Sequence, residues 1–227
     1  MNDFPFDIVG FDLDGTLLDT SVDLANAVNH ALAHAGRAPL SVEEVKPMIG
    51  GGAKKMLERG LEATGGYTEE EMEDLYHRLL TFYEANIAVG TVPFPGTLAA
   101  LDQLDAMGVK LAVVTNKFEH LAQKVLVQLG LRDRFVALIG GDTMGKGNSK
   151  PSAAPIHEMI ARAGGGRAAF VGDSIFDTLA AKNAGIPSVA VSFGFLMQPI
   201  EELGADVIID HYDELIPALA RLMPQSA

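Results

Sequence analysis

Two aspartates separated by one residue, Asp12 and Asp14, follow an apolar run near the start of the chain, and Gly15 and Thr16 come directly after them. The apolar run predicts a buried strand that opens into a tight loop. Because side chains alternate along a strand, both carboxylates are expected to leave its end on the same side, where they repel each other unless a cation or a shared proton lies beside them. The pair therefore predicts a Mg²⁺ site, although Asp and Gly are equally common in a solvated turn.

Three later segments with polar residues fall at the carboxyl ends of the predicted strands. Thr115 and Asn116 offer a hydroxyl, an amide and backbone donors that suit a phosphoryl oxygen, or equally the start of a helix. Lys150 could hold an aspartate and a phosphate together, although most lysines are simply solvated. Asp173 could complete a cation site, and Asp177, one helical turn further on, could orient its neighbours or Lys150. Their joint placement at predicted strand ends favours one shared site.

The residues between the first strand and about residue 89 have the apolar spacing of helices, and no strand is predicted there. Helices are expected over 21–35, from 41, over 53–63 and from after Thr68 to about 89. Ser41 and Glu44 have the spacing of a capping box, which supports the start of the second helix. This part of the chain is therefore predicted to be an all-helical insertion.

After residue 90 the pattern changes to short β-rich runs that alternate with helices. Strands are expected over 109–114, 135–139, 168–171, 188–191 and 207–209, in addition to the first apolar run. This alternation predicts an α/β fold with a Rossmann-like, three-layer α/β/α core around a parallel sheet. Residues 1–18 and 90–227 would form the core domain, and residues 19–89 would form the inserted helical domain.

Composition limits the compartment and the partners. The chain has 227 residues, 48% of them hydrophobic, and no cysteine, which excludes disulfides and thiolate metal sites. No leader-like or membrane-spanning segment is predicted, so we expect a cytoplasmic protein. Thirty acidic residues against 17 basic ones give a formal charge of −13, which disfavours nucleic acid and anionic membranes as partners. A small anionic substrate would need local positive charge to overcome that field.

Taken in order, the polar segments resemble the four motifs of the haloacid dehalogenase superfamily: Asp12-x-Asp14-Gly15-Thr16, Thr115-Asn116, Lys150-Pro151 and Gly172-Asp173-x-x-x-Asp177. The match spans nearly the whole chain, and the helical insertion lies where that superfamily places its C1 cap. Within the superfamily, FDLDGTLLDT and the segments 49–52, 140–143 and 192–194 are similar to those of phosphoglycolate phosphatases.

This resemblance implies a phosphoryl-transfer mechanism. Asp12 would attack phosphorus and form an aspartyl-phosphate, while Asp14 would protonate the leaving alkoxide and then deprotonate the hydrolytic water. Mg²⁺ would be held by the side chains of Asp12 and Asp173 and by the backbone carbonyl of Asp14.

The remaining site residues are also assigned by the resemblance. Thr115, Asn116 and Lys150 would bind the equatorial phosphoryl oxygens. Asp177 and Ser174 would not contact the substrate but would hold the neighbouring site residues in position. Residues of the helical insertion, for which Gly50, Gly52 and Lys54 are the candidates, would contact the leaving group.

The chain departs from the phosphoglycolate phosphatase pattern around its third motif. Where those enzymes have Lys-Pro-x-Pro-x-Pro, Ala153 replaces the middle proline, and the preceding segment 145–148 is unusually rich in glycine. The pattern Gly140-x-x-x-x-Gly145-Lys146 approaches a phosphate-binding P-loop, but Gly147 stands where a serine or threonine is required, which argues against a nucleotide site. The departures bear on substrate choice more than on the reaction.

The function we expect is a Mg²⁺-dependent phosphomonoesterase, monomeric or homodimeric, that hydrolyses a small phosphorylated metabolite, with 2-phosphoglycolate as the leading substrate. The nearest alternatives are a sugar phosphomutase of the β-phosphoglucomutase type, which uses the same two aspartates, and a phosphatase for another sugar phosphate. An alternative of a different class is a signalling module that carries a phosphoaspartate without turnover.

Overall fold

The computed structural model describes residues 4–222, so the outer ends of the predicted core domain, residues 1–3 and 223–227, lie outside it. Six strands form one sheet: β1 (Ile8–Phe11), β4 (Lys110–Val114), β5 (Ala137–Ile139), β6 (Ala168–Gly172), β7 (Ser188–Val191) and β8 (Val207–Ile209). Their order is β5-β4-β1-β6-β7-β8, and every neighbouring pair is parallel. The predicted α/β class with a parallel sheet is confirmed.

Both faces of the sheet are covered, which explains why its two middle strands, β1 and β6, have no polar side chains. Along β1, Val9 and Phe11 pack into one hydrophobic cluster and Ile8 packs into another. The first cluster takes in helices α5 (Thr97–Ala106), α6 (Glu119–Gln128) and α9 (Leu215–Arg221), and the second takes in α7 (Ala154–Arg162) and α8 (Ile175–Asn183). Burial on two faces requires a continuous apolar run rather than an alternating one.

Three strand boundaries and one helix of the core differ from the expectation. The strand expected from residue 109 begins at Lys110. The strand expected from residue 135 begins at Ala137, because Phe135 closes a short 3-10 turn and is buried beside the sheet instead. The strand expected over 168–171 continues to Gly172. Helix α9 was not predicted from the sequence.

Four helices lie between the first strand and residue 90: α1 (Ser21–His34), α2 (Val42–Val45), α3 (Ala53–Ala63) and α4 (Glu69–Ala85). The capping box of Ser41 with Glu44 is present, and Thr68 forms a second one with Glu71. Helix α4 ends at Ala85 rather than near residue 89, because the Asn86 side-chain amide donates to the Phe82 carbonyl and closes the last turn. No helix in the described range is long and apolar enough to cross a membrane.

The chain enters and leaves the helical segment through a small antiparallel pair, β2 (Leu18–Asp19) and β3 (Val92–Pro93), that the sequence did not predict. Beside this pair, the buried Asp23 carboxylate accepts hydrogen bonds from the Gly90 and Thr91 amides and the Thr91 hydroxyl, at 2.7–3.0 Å. The two connections between the helical segment and the sheet are therefore fastened to each other.

Candidate active site

The loop after β1 carries the first two aspartates, and the structure directs them to different partners. Asp12 is buried, and its Oδ1 accepts a hydrogen bond from the Leu13 amide at 2.7 Å. Gly15 allows the tight turn that follows, because its φ of +83° favours glycine. The Asp14 carboxylate contacts Lys117 instead, although both aspartates line the same cavity.

Three buried carboxylates meet at the carboxyl ends of β1 and β6. Asp12, Asp173 and Asp177 each contribute one oxygen to a cluster in which these atoms lie within 4.8 Å of one another. Clustered carboxylate oxygens suit a hard divalent cation. The cluster contains the predicted ligands Asp12 and Asp173, while the Asp14 carboxylate lies outside it; coordination by the Asp14 backbone carbonyl stays a prediction.

The electrostatics of this cluster fit a cation. Burial raises the pKa of Asp12 to about 7, although Lys150 lowers it, and repulsion from Asp177 adds to the increase. Burial also raises the pKa of Asp173 well above its ordinary value, with further contributions from Asp177 and Asp12. The negative charge here is only partly compensated by the protein, and a metal ion among these oxygens would offset it.

Lys150 provides that partial compensation. Its Nζ is buried and lies 2.9 Å from Asp12 Oδ1 and 2.5 Å from Asp177 Oδ1. Burial opposes the charge of this ammonium, but Asp12 and Asp177 outweigh that effect and raise its pKa. Asp177 is fixed in turn by the amide and hydroxyl of Ser174, at 3.0 and 2.5 Å. The structure thus brings together the predicted nucleophile, the lysine and the two residues expected behind them.

Asp173 is held by two further contacts, one from Thr16 of the first motif and one from Phe195, which the sequence analysis did not single out. The Phe195 amide donates to its Oδ2 at 2.7 Å, and the Thr16 hydroxyl donates to its Oδ1 at 3.0 Å. This close approach depends on two glycines. A Cβ on Gly194 would lie 2.2 Å from the Cβ of Asp173, and one on Gly15 would lie 2.2 Å from its Oδ2.

Thr115 and Asn116 follow β4 and face the same region. The buried Thr115 hydroxyl accepts a hydrogen bond from the Lys117 amide at 3.2 Å. The Asn116 side-chain amide donates to the carbonyls of Gly50 and Lys150, both at 3.2 Å. Asn116 therefore links the strand end to the helical segment and to the lysine loop.

Lys117 is a further site residue to which the sequence analysis assigned no role. Its Nζ lies 2.7 and 2.8 Å from the two carboxylate oxygens of Asp14, and 4.7 Å from the ring centre of Tyr83 on α4. Burial opposes its charge, but Asp14 and Tyr83 outweigh this and raise its pKa. Burial also raises the pKa of Tyr83 to about 12. The only sequence signal was the position of Lys117 directly after the Thr115-Asn116 pair.

A cavity of about 540 Å³ lies between the helical segment and the loops at the strand ends. Asp12, Asp14 and Thr115 line it on the core side, and Gly50, Gly52 and Lys54 line it on the side of the helical segment. The predicted leaving-group residues therefore lie across this cavity from the predicted nucleophile. Its wall also includes apolar and basic residues: Leu24, Ile49, Met56, Tyr76, Leu79, Tyr83, Phe118, Leu121, Lys55, Lys117 and Lys146.

Comparison with known proteins places the chain among phosphatases. A family model described as haloacid dehalogenase-like hydrolase matches residues 9–191. A relative named phosphoglycolate phosphatase from Agrobacterium fabrum is 44% identical over 213 residues, which cover 92% of this chain and 90% of the relative. One of the same name from Caulobacter vibrioides is 40% identical over 218 residues, with coverage of 95% and 91%. The crystal structure of a predicted phosphoglycolate phosphatase from Haemophilus somnus matches with a TM-score of 0.87 at 30% identity, covering 94% of this chain and 98% of that one.

Proposed function

The chain belongs to the haloacid dehalogenase-like hydrolase family, and on that premise we propose that it is a Mg²⁺-dependent phosphomonoesterase acting on 2-phosphoglycolate. The family resemblance of the four motifs is confirmed by these relatives. One observation of the structure carries the proposal: the buried Asp12 carboxylate, held by Lys150 beside Asp173, forms part of the wall of a cavity that a small molecule can enter.

Asp12 is the proposed nucleophile. It would form a bond from a carboxylate oxygen to phosphorus as the bond to the leaving oxygen breaks, which gives an aspartyl-phosphate and an alcohol. The Asp12 and Asp173 side chains and the Asp14 backbone carbonyl would hold Mg²⁺, which supplies positive charge that offsets the repulsion between the carboxylate and the phosphate. Lys150 would orient Asp12 and bind a phosphoryl oxygen, with Thr115 and the Asn116 amide on the other oxygens.

Asp14 is the proposed proton carrier, and Lys117 its positioning residue. Asp14 would give a proton to the leaving oxygen and then take one from the water that attacks the aspartyl-phosphate. The bidentate contact with Lys117 limits the rotation of the Asp14 carboxylate, which lies on the wall of the same cavity. Proton transfer depends on such fixed geometry.

We assign residues 19–89 as a cap domain over a core formed by residues 1–18 and 90–227. Two contacts support this assignment. The Gly50 carbonyl accepts a hydrogen bond from Asn116, and the Tyr83 ring lies over the Lys117 ammonium, so both the loop before α3 and helix α4 contact the site. A cap in this position would exclude water from the phosphoryl group and place Gly50, Gly52 and Lys54 against the leaving group.

The experiment is phosphate release from a panel of phosphomonoesters, including 2-phosphoglycolate and hexose phosphates, by wild type and Asp12→Asn, each with Mg²⁺ and with chelator. Release that requires both Mg²⁺ and Asp12, with 2-phosphoglycolate preferred, is the expected result. Preference for a hexose phosphate would replace the proposed substrate. Transfer of the phosphoryl group between sugar positions without release would indicate a mutase, and a stably phosphorylated protein without turnover would indicate a signalling module.

A further inference from the structure

Of the lysines that line the cavity, only one forms an ion pair within the described part of the chain. Lys54, Lys55, Lys117 and Lys146 line the cavity, and among residues 4–222 only Lys117 of these four takes part in an ion pair, with Asp14. Lys55 instead lies 6.0 Å from the ring centre of Phe176. Among the residues that line the cavity these four lysines outnumber the three acidic residues, which is a local excess of positive charge in a chain with a formal charge of −13.

The charges of the catalytic groups do not account for this excess. Lys150 is already paired with two carboxylates, those of Asp12 and Asp177, and Lys117 is paired with Asp14. Glu58 is the remaining acidic side chain on the described cavity wall, against the three lysines. The phosphoryl group has its own proposed partners, so these lysines are available to a second anionic group on the substrate.

Lys146 is distinguished from the other two because it comes from the core side, on the glycine-rich segment where the chain departs from the family pattern. Gly145 and Gly147 on either side of it have φ values of +78° and +85°, which favour glycine, and neither has a neighbour within 4 Å of a built Cβ. The Asn148 side-chain amide donates to the Met144 carbonyl at 2.9 Å. This hydrogen bond closes the turn that carries Lys146.

The base of this segment is packed against the catalytic loop. The Gly141 amide donates to the Lys117 carbonyl at 2.8 Å, and the Glu119 amide donates to the Asp142 carboxylate at 2.8 Å. A Cβ on Gly141 would lie 2.5 Å from the Asn116 carbonyl oxygen. Lys146 therefore lies on a turn whose preceding residues are packed against the loop that contains Thr115 and Asn116.

We propose that Lys146 is a specificity-determining residue that binds a carboxylate on the leaving group, across the cavity from Lys54. The inference rests on the proposed phosphatase function and extends it to a residue outside the predicted site. A solvent-facing ammonium binds an anion as a flexible point charge, so its loss weakens recognition of the carboxylate without altering the phosphoryl chemistry.

The test compares two substrates that differ only at the proposed contact: 2-phosphoglycolate and 2-hydroxyethyl phosphate, in which a neutral alcohol replaces the carboxylate. The ratio of their kcat/KM values is measured for wild type, Lys146→Met and Lys182→Met. Lys182 is the matched control, because it is an exposed lysine on α8 that does not line the cavity. Thermal unfolding of each variant verifies that the fold is intact.

We expect Lys146→Met to lower the 2-phosphoglycolate preference on the order of tenfold, mainly through KM, while Lys182→Met retains the wild-type ratio. An unchanged ratio in Lys146→Met, an equal fall in Lys182→Met, or a wild type without preference for the carboxylate would overturn the inference. Those three results leave the phosphatase proposal standing if Asp12-dependent release is observed. Hydrolysis of neither substrate, nor of any other phosphomonoester, would overturn both.

Discussion

At the scale of single residues, the site depends on how each carboxylate is paired. Asp12 and Asp14 are two positions apart, yet one contacts Lys150 and the other Lys117. The first pair lies beside Asp173 and Asp177, where further negative charge calls for a cation. The second pair is self-contained, because one lysine faces both oxygens of one carboxylate. This difference matches the separate roles proposed for the two acids, nucleophile and proton carrier.

The role of Lys117 is tested by Lys117→Met, which removes the ammonium and keeps much of the side-chain volume. Because Asp14 would then rotate freely, we expect kcat to fall about 10²-fold with little change in KM. Steady-state kinetics measure both parameters. Lys124→Met is the control, since it breaks an exposed ion pair with Glu84. A KM effect without a kcat effect, or wild-type kinetics, would contradict the positioning role.

The sequence located most of these residues and suggested the contacts of Lys150, but it did not predict the partner of Asp14. Asp12 and Asp173 were found because each stands where an apolar run ends, and parallel strands bring such ends together. Lys150 was found from its place directly before a proline that predicts a helix start. The partner of Asp14 depends on side-chain direction around a tight turn, and the spacing of residues does not encode that direction. Lys117 was therefore passed over, although it follows the Thr115-Asn116 pair directly.

At the scale of elements, the ends of neighbouring parallel strands form the site, and glycine sets how closely their loops approach. The loops after β1 and β7 both contact Asp173, which follows β6. Gly15 and Gly194 stand where any Cβ would collide with Asp173. These glycines contribute close packing of backbone on a carboxylate rather than flexibility.

Gly194→Ala tests this requirement. The added Cβ would collide with the Asp173 Cβ and the Gly15 carbonyl oxygen, so the loop after β7 must shift. We expect the free energy of unfolding to fall by about 1–3 kcal/mol and Mg²⁺ binding to weaken, measured by denaturant unfolding and calorimetric titration.

Gly130→Ala is the matched control for backbone strain away from the site. Gly130 has a φ of +68° and open space around it, so alanine there is expected to cost about 1 kcal/mol and to leave Mg²⁺ binding unchanged. Equal effects of the two substitutions on Mg²⁺ binding would show that the packing around Asp173 does not set metal affinity.

Element types were predicted better than element ends. The helical segment and the alternation after residue 90 follow from apolar periodicity, which long patterns express clearly. The β2–β3 pair was missed because two-residue strands carry no periodicity. Helix α4 was extended too far because the Asn86 side chain, and not a glycine or proline, closes it.

At the scale of the whole molecule, the buried aspartates of the site make the free energy of unfolding depend on pH and on Mg²⁺. The folded metal-free protein retains the Asp12 proton up to a pKa of about 7, whereas the ordinary value is 3.8. Between these values the unfolded chain binds fewer protons than the folded one, so the free energy of unfolding decreases as pH rises through this window. The raised pKa of Asp173 acts in the same direction.

Mg²⁺ bound to the ionised aspartates should offset this decrease in the free energy of unfolding at high pH. We therefore expect Mg²⁺ to raise the thermal midpoint by about a few degrees at about pH 8, and by clearly less at about pH 5, relative to chelator. Thermal unfolding at both values of pH measures this, with Asp173→Asn as the control that loses most of the increment. An increment that is the same at both values of pH would contradict the account.

The most direct test of the central claim, that Asp12 carries the phosphoryl group during turnover, is a burst experiment with Asp14→Asn and p-nitrophenyl phosphate. This leaving group needs no proton from Asp14, whereas hydrolysis of the intermediate does need a base. We predict a single burst of p-nitrophenol stoichiometric with enzyme, and one added phosphoryl group that peptide mass spectrometry assigns to Asp12. No burst in Asp14→Asn while wild type turns over, or a phosphoryl group on another residue, would contradict it.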